Sequence, residues 1–215
     1  MFYENNLLAR LQRKFGKFAI KNLMMYIVGT MGLIFAVEFI MGINLSGMFA
    51  FNVAAIVQGE FWRVITFIFI PPGASIIFIF FALYLYWIIG SSLENQWGAF
   101  KFNVFYLCGI LGTIIAGLIT GFATNTYLNL SLFLAFAILY PNFEIRLFFI
   151  LPIKMKWLAI VYTVFFIITL IFSTWPGRVA LLVSIINILL FFGKDFIRHI
   201  KNRHRKAQWK RDNNL

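Results

Sequence analysis

The chain has 215 residues, of which 62% are hydrophobic and only 12% are charged, and its formal net charge is +12. Soluble domains are about 45–50% apolar and about 25% charged, so this composition excludes a soluble globular fold. The single cysteine, Cys108, excludes an intrachain disulfide framework and a cysteine-rich zinc site, and we predict no cofactor and no metal.

Residues 1–21 predict a cytoplasmic amphipathic segment that lies on the membrane surface. Basic residues, among them Arg10, Arg13 and Lys17, are interspersed with apolar residues at helical spacing. The apolar run 22–42 that follows is too long for the core of a signal peptide, and no small-residue cleavage site follows it. We therefore predict a retained first spanning helix.

Five further apolar runs follow a loop at 43–62. They cover 64–90, 101–121, 127–140, 157–173 and 178–193. A spanning helix needs roughly 20 apolar residues, so the composition permits about six spans. The second run begins irregularly, because Pro71-Pro72-Gly73 cannot continue a helix. The fourth run is short, so we expect it to cross only if neighbouring helices surround it or water enters above it.

The positions of the basic residues predict the orientation of the chain. Six spans place 17 of the 19 lysines and arginines on one side, including those of a basic cytoplasmic tail at 194–215. By the positive-inside rule, both termini face the cytoplasm. Topology thus explains most of the net charge, and the lipid bilayer is the main expected partner. We expect anionic lipid headgroups at the tail and no nucleic acid.

Four short motifs follow one another between roughly residues 59 and 160. They are Gly59-Glu60-Phe61-Trp62-Arg63, Gly90-Ser91-Ser92-Leu93-Glu94, Trp97-Gly98 and Leu139-Tyr140-Pro141. Their order and spacing resemble the rhomboid superfamily of membrane proteins. The resemblance implies an all-α membrane protein whose residues 22–193 form a six-transmembrane-helix rhomboid-like bundle with a short central fourth helix.

Active rhomboids are intramembrane proteases in which a serine at the start of the fourth helix is activated by a histidine on the sixth. By the spacing of that family, Thr126 stands at the serine position. Phe78 and Ala82 stand where the family has a histidine and an oxyanion-stabilising asparagine. Ser131 is a weaker candidate for the nucleophile. The resemblance therefore places no complete catalytic set in this chain.

The two histidines of the chain, His199 and His204, both lie in the basic tail. A spanning helix separates them from the side to which the family's active site opens, a distance of tens of Å. A hydroxyl is a poor nucleophile without a base within hydrogen-bond reach. We interpret Thr126 instead as a helix N-cap, and Ser131 as a hydroxyl bonded to its own backbone or to a neighbouring helix.

Few other polar residues lie inside the predicted spans. The fourth and sixth runs carry a possible polar cluster of Asn129, Ser131, Ser184 and Asn187. We interpret it as interhelical packing, or alternatively as a recess that recognises a polar residue of a client helix. Glu38 is the clear ionisable residue within a span, and it predicts an ion pair with Arg63 that holds the first loop to the bundle.

Three functions remain open from the sequence. The first is a non-catalytic rhomboid-like protein, a pseudoprotease, that binds transmembrane helices of client proteins. The second is an intramembrane serine protease with residual or unconventional activity, through Thr126 or Ser131. The third is a small transporter or channel, for which the chain offers no detectable inverted repeat and only Glu38 as a buried charge.

Overall fold

The structure is a computed structural model that describes residues 6–73, 75–147 and 151–172, together with the single positions 175, 178, 182 and 186. The described chain is mostly helical. The helices are α1 (Asn6–Phe15), α2 (Leu23–Met41), α3 (Leu45–Phe49), α4 (Val53–Val57), α5 (Arg63–Thr66), α6 (Ile76–Trp97), α7 (Ala99–Thr120), α8 (Thr126–Leu139) and α9 (Met155–Phe172). The strands are β1 (Phe51–Asn52), β2 (Phe122–Ala123), β3 (Glu144–Leu147) and β4 (Leu151–Lys154).

Four helices in the described part of the chain are long and apolar enough to cross a membrane: Leu23–Met41, Phe78–Trp97, Ala99–Thr120 and Met155–Phe172. The prediction of a multi-pass membrane protein is confirmed at this level. The irregular start of the second run is also confirmed, because α5 and a 3-10 helix at Phe67–Phe69 precede the prolines and α6 begins only at Ile76. The predicted sixth span, 178–193, lies outside the described residues apart from three single positions.

Helix α8 is short, with 14 residues, and it packs against α6, α7 and α9. Most of its side chains are buried, including Leu128, Leu132 and Phe136. A helix of about 21 Å cannot cross the hydrocarbon core alone, so its surroundings must supply the apolar environment. The packing of neighbouring helices around this run, one of the two conditions predicted from the sequence, is confirmed.

The loop between α2 and α6 is folded rather than extended. Its strand β1 pairs antiparallel with β2, so that Phe51 lies opposite Ala123. The Phe51 side chain packs directly on α7 at Gly117, where an added Cβ would lie 2.6 Å from the ring. Gly117 therefore allows the loop to approach the bundle, and the loop is fixed beside the start of α8.

Strands β3 and β4 form an antiparallel hairpin between α8 and α9, with Glu144 opposite Lys154. The sequence prediction contained only helices, so both strand pairs correct it. The hairpin alternates apolar and polar residues, which is typical of a strand with one buried face. It leads the chain from the end of α8 to the first residue of α9.

Candidate functional site

The residues that the sequence resemblance assigned to an active site form no catalytic arrangement among the described residues. Thr126 is the first residue of α8, its side chain is exposed, and its Oγ1 lies 3.0 Å from the Oγ1 of Thr124. The residue at the N-cap position is Asn125, so the prediction that Thr126 caps the helix was wrong by one residue. Phe78 is half-exposed and Ala82 partly buried on α6, and neither side chain has a polar atom for an oxyanion.

Ser131 is only 1% exposed, and its hydroxyl donates to the carbonyl oxygen of Leu128 at 2.7 Å. The prediction that this hydroxyl bonds to its own helix is confirmed. Serine and threonine hydroxyl groups in apolar helices commonly donate to a backbone carbonyl oxygen three or four residues earlier in the same helix. The proton that a nucleophile would have to lose is therefore held by a backbone acceptor.

Asn125 is a site residue that the sequence reasoning missed. Its buried side-chain amide donates to the carbonyl oxygens of Ile68 at 2.9 Å and Ile70 at 2.8 Å. Both carbonyls lie just before Pro71 and Pro72, where the chain lacks backbone N–H donors and no helix continues. Asn125 thus fixes the start of α8 to the segment before α6. The available signal was an asparagine directly before a helix start, after a turn glycine.

Polar side chains of α6, α7, α8 and α9 come near one another, and we call Asn129, Tyr86, Tyr106 and Tyr162 the tyrosine–amide cluster. The Tyr86 hydroxyl group lies near the side-chain amide of Asn129 and near the hydroxyl groups of Tyr106 and Tyr162. Asn129 is 5% exposed and Tyr106 is 1% exposed. The Asn129 Oδ1 and the Tyr106 hydroxyl have no hydrogen-bond partner. The cluster therefore contains one buried acceptor and one buried hydroxyl group without a hydrogen-bond partner.

Two members of the predicted cluster of Asn129, Ser131, Ser184 and Asn187 lie among the described residues. Asn129 and Ser131 are two positions apart on α8, so their side chains face nearly opposite sides of the helix. Asn129 turns to Tyr86, whereas Ser131 bonds within α8. Ser184 and Asn187 lie outside the described residues. The sequence identified Asn129 and missed its tyrosine partners.

A cavity of about 230 Å³ runs along one face of α6 and ends at the start of β3. Its walls are almost entirely apolar or aromatic: Phe81, Tyr84, Leu85, Ile88, Phe143, Glu144 and Ile145. The α6 residues of this wall are spaced three and four apart, so they form one continuous helix face. We call this feature the α6 groove, and it is open enough that the Tyr84 side chain is 52% exposed.

The predicted ion pair between Glu38 and Arg63 is wrong. Arg63 pairs with Glu60 at 2.5 Å, three residues away. The Glu38 carboxylate instead accepts from the backbone N–H of Ser46, also at 2.5 Å. Glu60 is the acidic residue nearest to Arg63 along the chain, so the pair forms within one short segment.

Glu38 and Arg63 nevertheless hold the same loop helix, α3. Glu38 contacts the first turn of α3, whereas Arg63 Nη1 donates to the carbonyl oxygens of Gly47 at 2.8 Å and Ala50 at 3.0 Å. An anion at the start and a cation at the end of a helix are both favourable for its dipole. The neighbouring Trp62 is half-exposed, as expected of an interfacial side chain.

The second motif joins α6 to the start of α2. Glu94 Oε1 accepts from the backbone N–H of Asn22 at 2.7 Å, and its Oε2 is buried without a partner. Leu93 is fully buried, and Gly90 lies directly against Met24. Gly98 has a φ of +83° between α6 and α7, a conformation that favours glycine. All four motif residues therefore have structural roles at one end of the bundle.

Comparison with models of known protein families finds no family that matches this chain, and comparison with curated proteins finds no match. Within the described ranges, no three side chains of His, Cys, Asp or Glu come together to hold a metal ion. The site is thus defined by its own geometry: a buried tyrosine–amide cluster, and an apolar groove on α6.

Proposed function

We propose that the protein is a non-catalytic, rhomboid-like membrane protein that binds transmembrane helices of other proteins. The α6 groove is the observation that carries this proposal. It is largely apolar and partly open, and four of its lining residues follow one helix face, so it can receive side chains of a second helix. Apolar surface that faces a membrane can pack against a helix as readily as against lipid, and shape decides between them.

The order of the elements supports the rhomboid-like part of the proposal. A short buried helix, α8, lies among longer helices, and a folded loop carrying Trp62 and Arg63 precedes α6. Glu94 and Gly90 attach α6 to α2 at one end of the bundle. In the proposed arrangement a sixth helix covers 178–193, and both termini are cytoplasmic.

The chemistry of α8 supports binding rather than cleavage. The Ser131 hydroxyl is buried and bonded to Leu128, and the exposed Thr126 hydroxyl is paired with Thr124. The histidines of the sequence both fall in the basic tail. A Ser–His mechanism needs the hydroxyl and the base in direct contact.

Site-specific photo-crosslinking in native membranes tests the proposal. A photoreactive amino acid at Tyr84, inside the α6 groove, is expected to capture proteins through peptides that belong to their membrane-spanning segments. Leu111 on α7 is the matched control, since it is 51% exposed and lies outside the groove. Mass spectrometry of the crosslinked peptides identifies which segment is attached.

Two results would contradict the proposal. Equal capture of spanning segments from Tyr84 and Leu111 would mean that the groove has no preference over any lipid-facing position. Capture of lipid alone from both positions would mean that the groove is filled by lipid and that the chain does not bind helices there.

A further inference from the structure

The segment from α1 to the start of α2 carries a dense basic surface with exposed aromatic rings, which is separate from the α6 groove. Its basic side chains Arg13, Lys14 and Lys17 are all exposed, as are Phe15 and Phe18. We call these five residues the α1 patch. The sequence contains no acidic residue between positions 5 and 37, so no nearby carboxylate along the chain neutralises the patch.

In the α1 patch, each of two lysine ammonium groups lies beside an aromatic ring. The Nζ of Lys14 lies 5.5 Å from the centre of the Phe15 ring, and the Nζ of Lys17 lies 5.1 Å from the centre of the Phe18 ring. Phe18 is 70% exposed. An exposed ring beside an ammonium group suits the boundary between lipid headgroups and acyl chains, where the ring is buried and the charge stays hydrated.

The patch is also attached to the bundle rather than tethered loosely. Helix α1 contacts α7, and the Asn103 side-chain amide donates to the carbonyl oxygen of Ile20 at 3.1 Å. Glu94 holds the backbone at Asn22, one residue before α2 begins. Met25 and Tyr26, in the first turn of the candidate spanning helix α2, are also exposed apolar side chains.

We propose that the α1 patch is a binding site for anionic phospholipid headgroups of the leaflet that faces it. This inference does not depend on the proposed binding of client helices. A phosphate would be held by Lys14, Lys17 and Arg13, while Phe15 and Phe18 insert beside the first acyl carbons. RNA would satisfy the charge equally well, but it would leave the rings that border α2 without an apolar partner.

The test is a titration of the full-length protein in neutral detergent with a fluorescent short-chain phosphatidylglycerol. The K14Q/K17Q variant is expected to bind more weakly by about fivefold for each charge removed. The K14R/K17R variant keeps both charges and should retain the wild-type affinity. K154Q/K156Q is the matched control, because it removes two exposed lysines elsewhere and should change the affinity by less than twofold. Raising the salt from 0.1 M to 1 M should weaken wild-type binding, since screening shortens from about 10 Å to about 3 Å.

Several outcomes would overturn the proposal. Unchanged binding by K14Q/K17Q, with the same melting temperature as wild type, would remove the patch as the site. An equal loss in K154Q/K156Q would show that net charge alone attracts the lipid. Competition by free glycerol phosphate at the same concentration as the lipid would show a phosphate site without a lipid component. Preferential binding of a short RNA by the patch would replace the lipid with a nucleic acid.

Discussion

Replacing Gly90 by alanine is expected to separate α2 from α6. An added Cβ at position 90 would overlap the Cγ of Met24 and lie 2.5 Å from its Cβ. The Met24 Cβ is fixed to the backbone of α2, so a change of rotamer cannot relieve the second contact. Reaching an ordinary contact of 3.4 Å requires the helices to move apart by about 1 Å.

The expected cost of G90A follows from this displacement. Overpacking of a well-filled interior typically costs about 1–3 kcal/mol. The shift also stretches the 2.7 Å hydrogen bond from the Asn22 N–H to Glu94, and bonds to charged groups are worth about 1.5–3 kcal/mol. Alanine has a higher helix propensity than glycine, which offsets up to about 1 kcal/mol of this destabilisation. We therefore expect a net destabilisation of about 1–3 kcal/mol.

A thermal melt in detergent measures this effect through Cys108, the only cysteine of the chain, which is half-buried on α7. A thiol-reactive dye reports its exposure as the bundle opens. Gly29 on α2 is the matched control, because an added Cβ there meets no atom within 4 Å. G29A should be as stable as wild type or slightly more stable. A melting temperature for G90A at or above that of G29A would refute the proposed contact between α2 and α6.

Three further substitutions test other contacts by the same melt. E38A should destabilise the protein by about 1–2 kcal/mol because the Ser46 N–H loses its acceptor, and E38Q, which keeps an acceptor, should cost less. N125A should cost about 1–3 kcal/mol because two buried carbonyl oxygens lose their donor. S131A should change stability by less than about 1 kcal/mol, since its hydroxyl donates to a carbonyl oxygen of its own helix, and wild type should not react with a fluorophosphonate probe.

Each of these expectations has a result that would contradict it. Equal stability of E38A and wild type would mean that the carboxylate does not hold α3. A loss in N142A, at an exposed loop position, as large as that in N125A would mean that the assay does not report the buried bonds. Fluorophosphonate labelling that disappears in S131A would show a reactive serine and would reopen the case for a protease.

The long helices were predictable from sequence because each corresponds to one continuous run of apolar residues. The runs 22–42 and 101–121 fall within two residues of α2 and α7 at both ends, and the run 157–173 begins within two residues of the start of α9. The strands were not predictable, since β1 pairs with residues about 70 positions further along the chain. No local pattern in Phe51-Asn52 marks that partner, and a two-residue strand is too short for periodicity to detect.

The errors at the candidate site have different physical causes. Glu38 was predicted as the partner of Arg63, but Glu60, three residues before Arg63, forms that ion pair. The tyrosine–amide cluster was missed because hydropathy counts tyrosine with the apolar residues. Its hydroxyl group becomes informative only when Tyr86 is seen beside Asn129. A buried hydroxyl in an apolar span carries a desolvation cost that composition does not record.

A final prediction concerns which helix moves when a partner helix binds in the α6 groove. Helix α2 is held by Glu94 and by the close contact at Gly90, whereas α9 packs mainly on α8 and β4 and leaves most of its described side chains exposed. We therefore expect α9 to move and α2 to stay. In a C108A background, cysteines at Phe133 and Tyr162, whose rings are centred 5.3 Å apart, can be joined by a short bifunctional thiol reagent.

Joining α8 to α9 in this way should reduce crosslinking from Tyr84 to partner helices at least severalfold. Cysteines at Gly32 and Leu83 join α2 to α6 as the matched control, since a Cβ at position 32 would contact Leu83 at 3.7 Å. That linkage should leave crosslinking unchanged, because α2 and α6 already hold the geometry the groove requires. If the control linkage blocked crosslinking and the α8–α9 linkage did not, the partner would enter on the side of α2, and the groove would open by the separation of the two helices that Glu94 and Gly90 hold together.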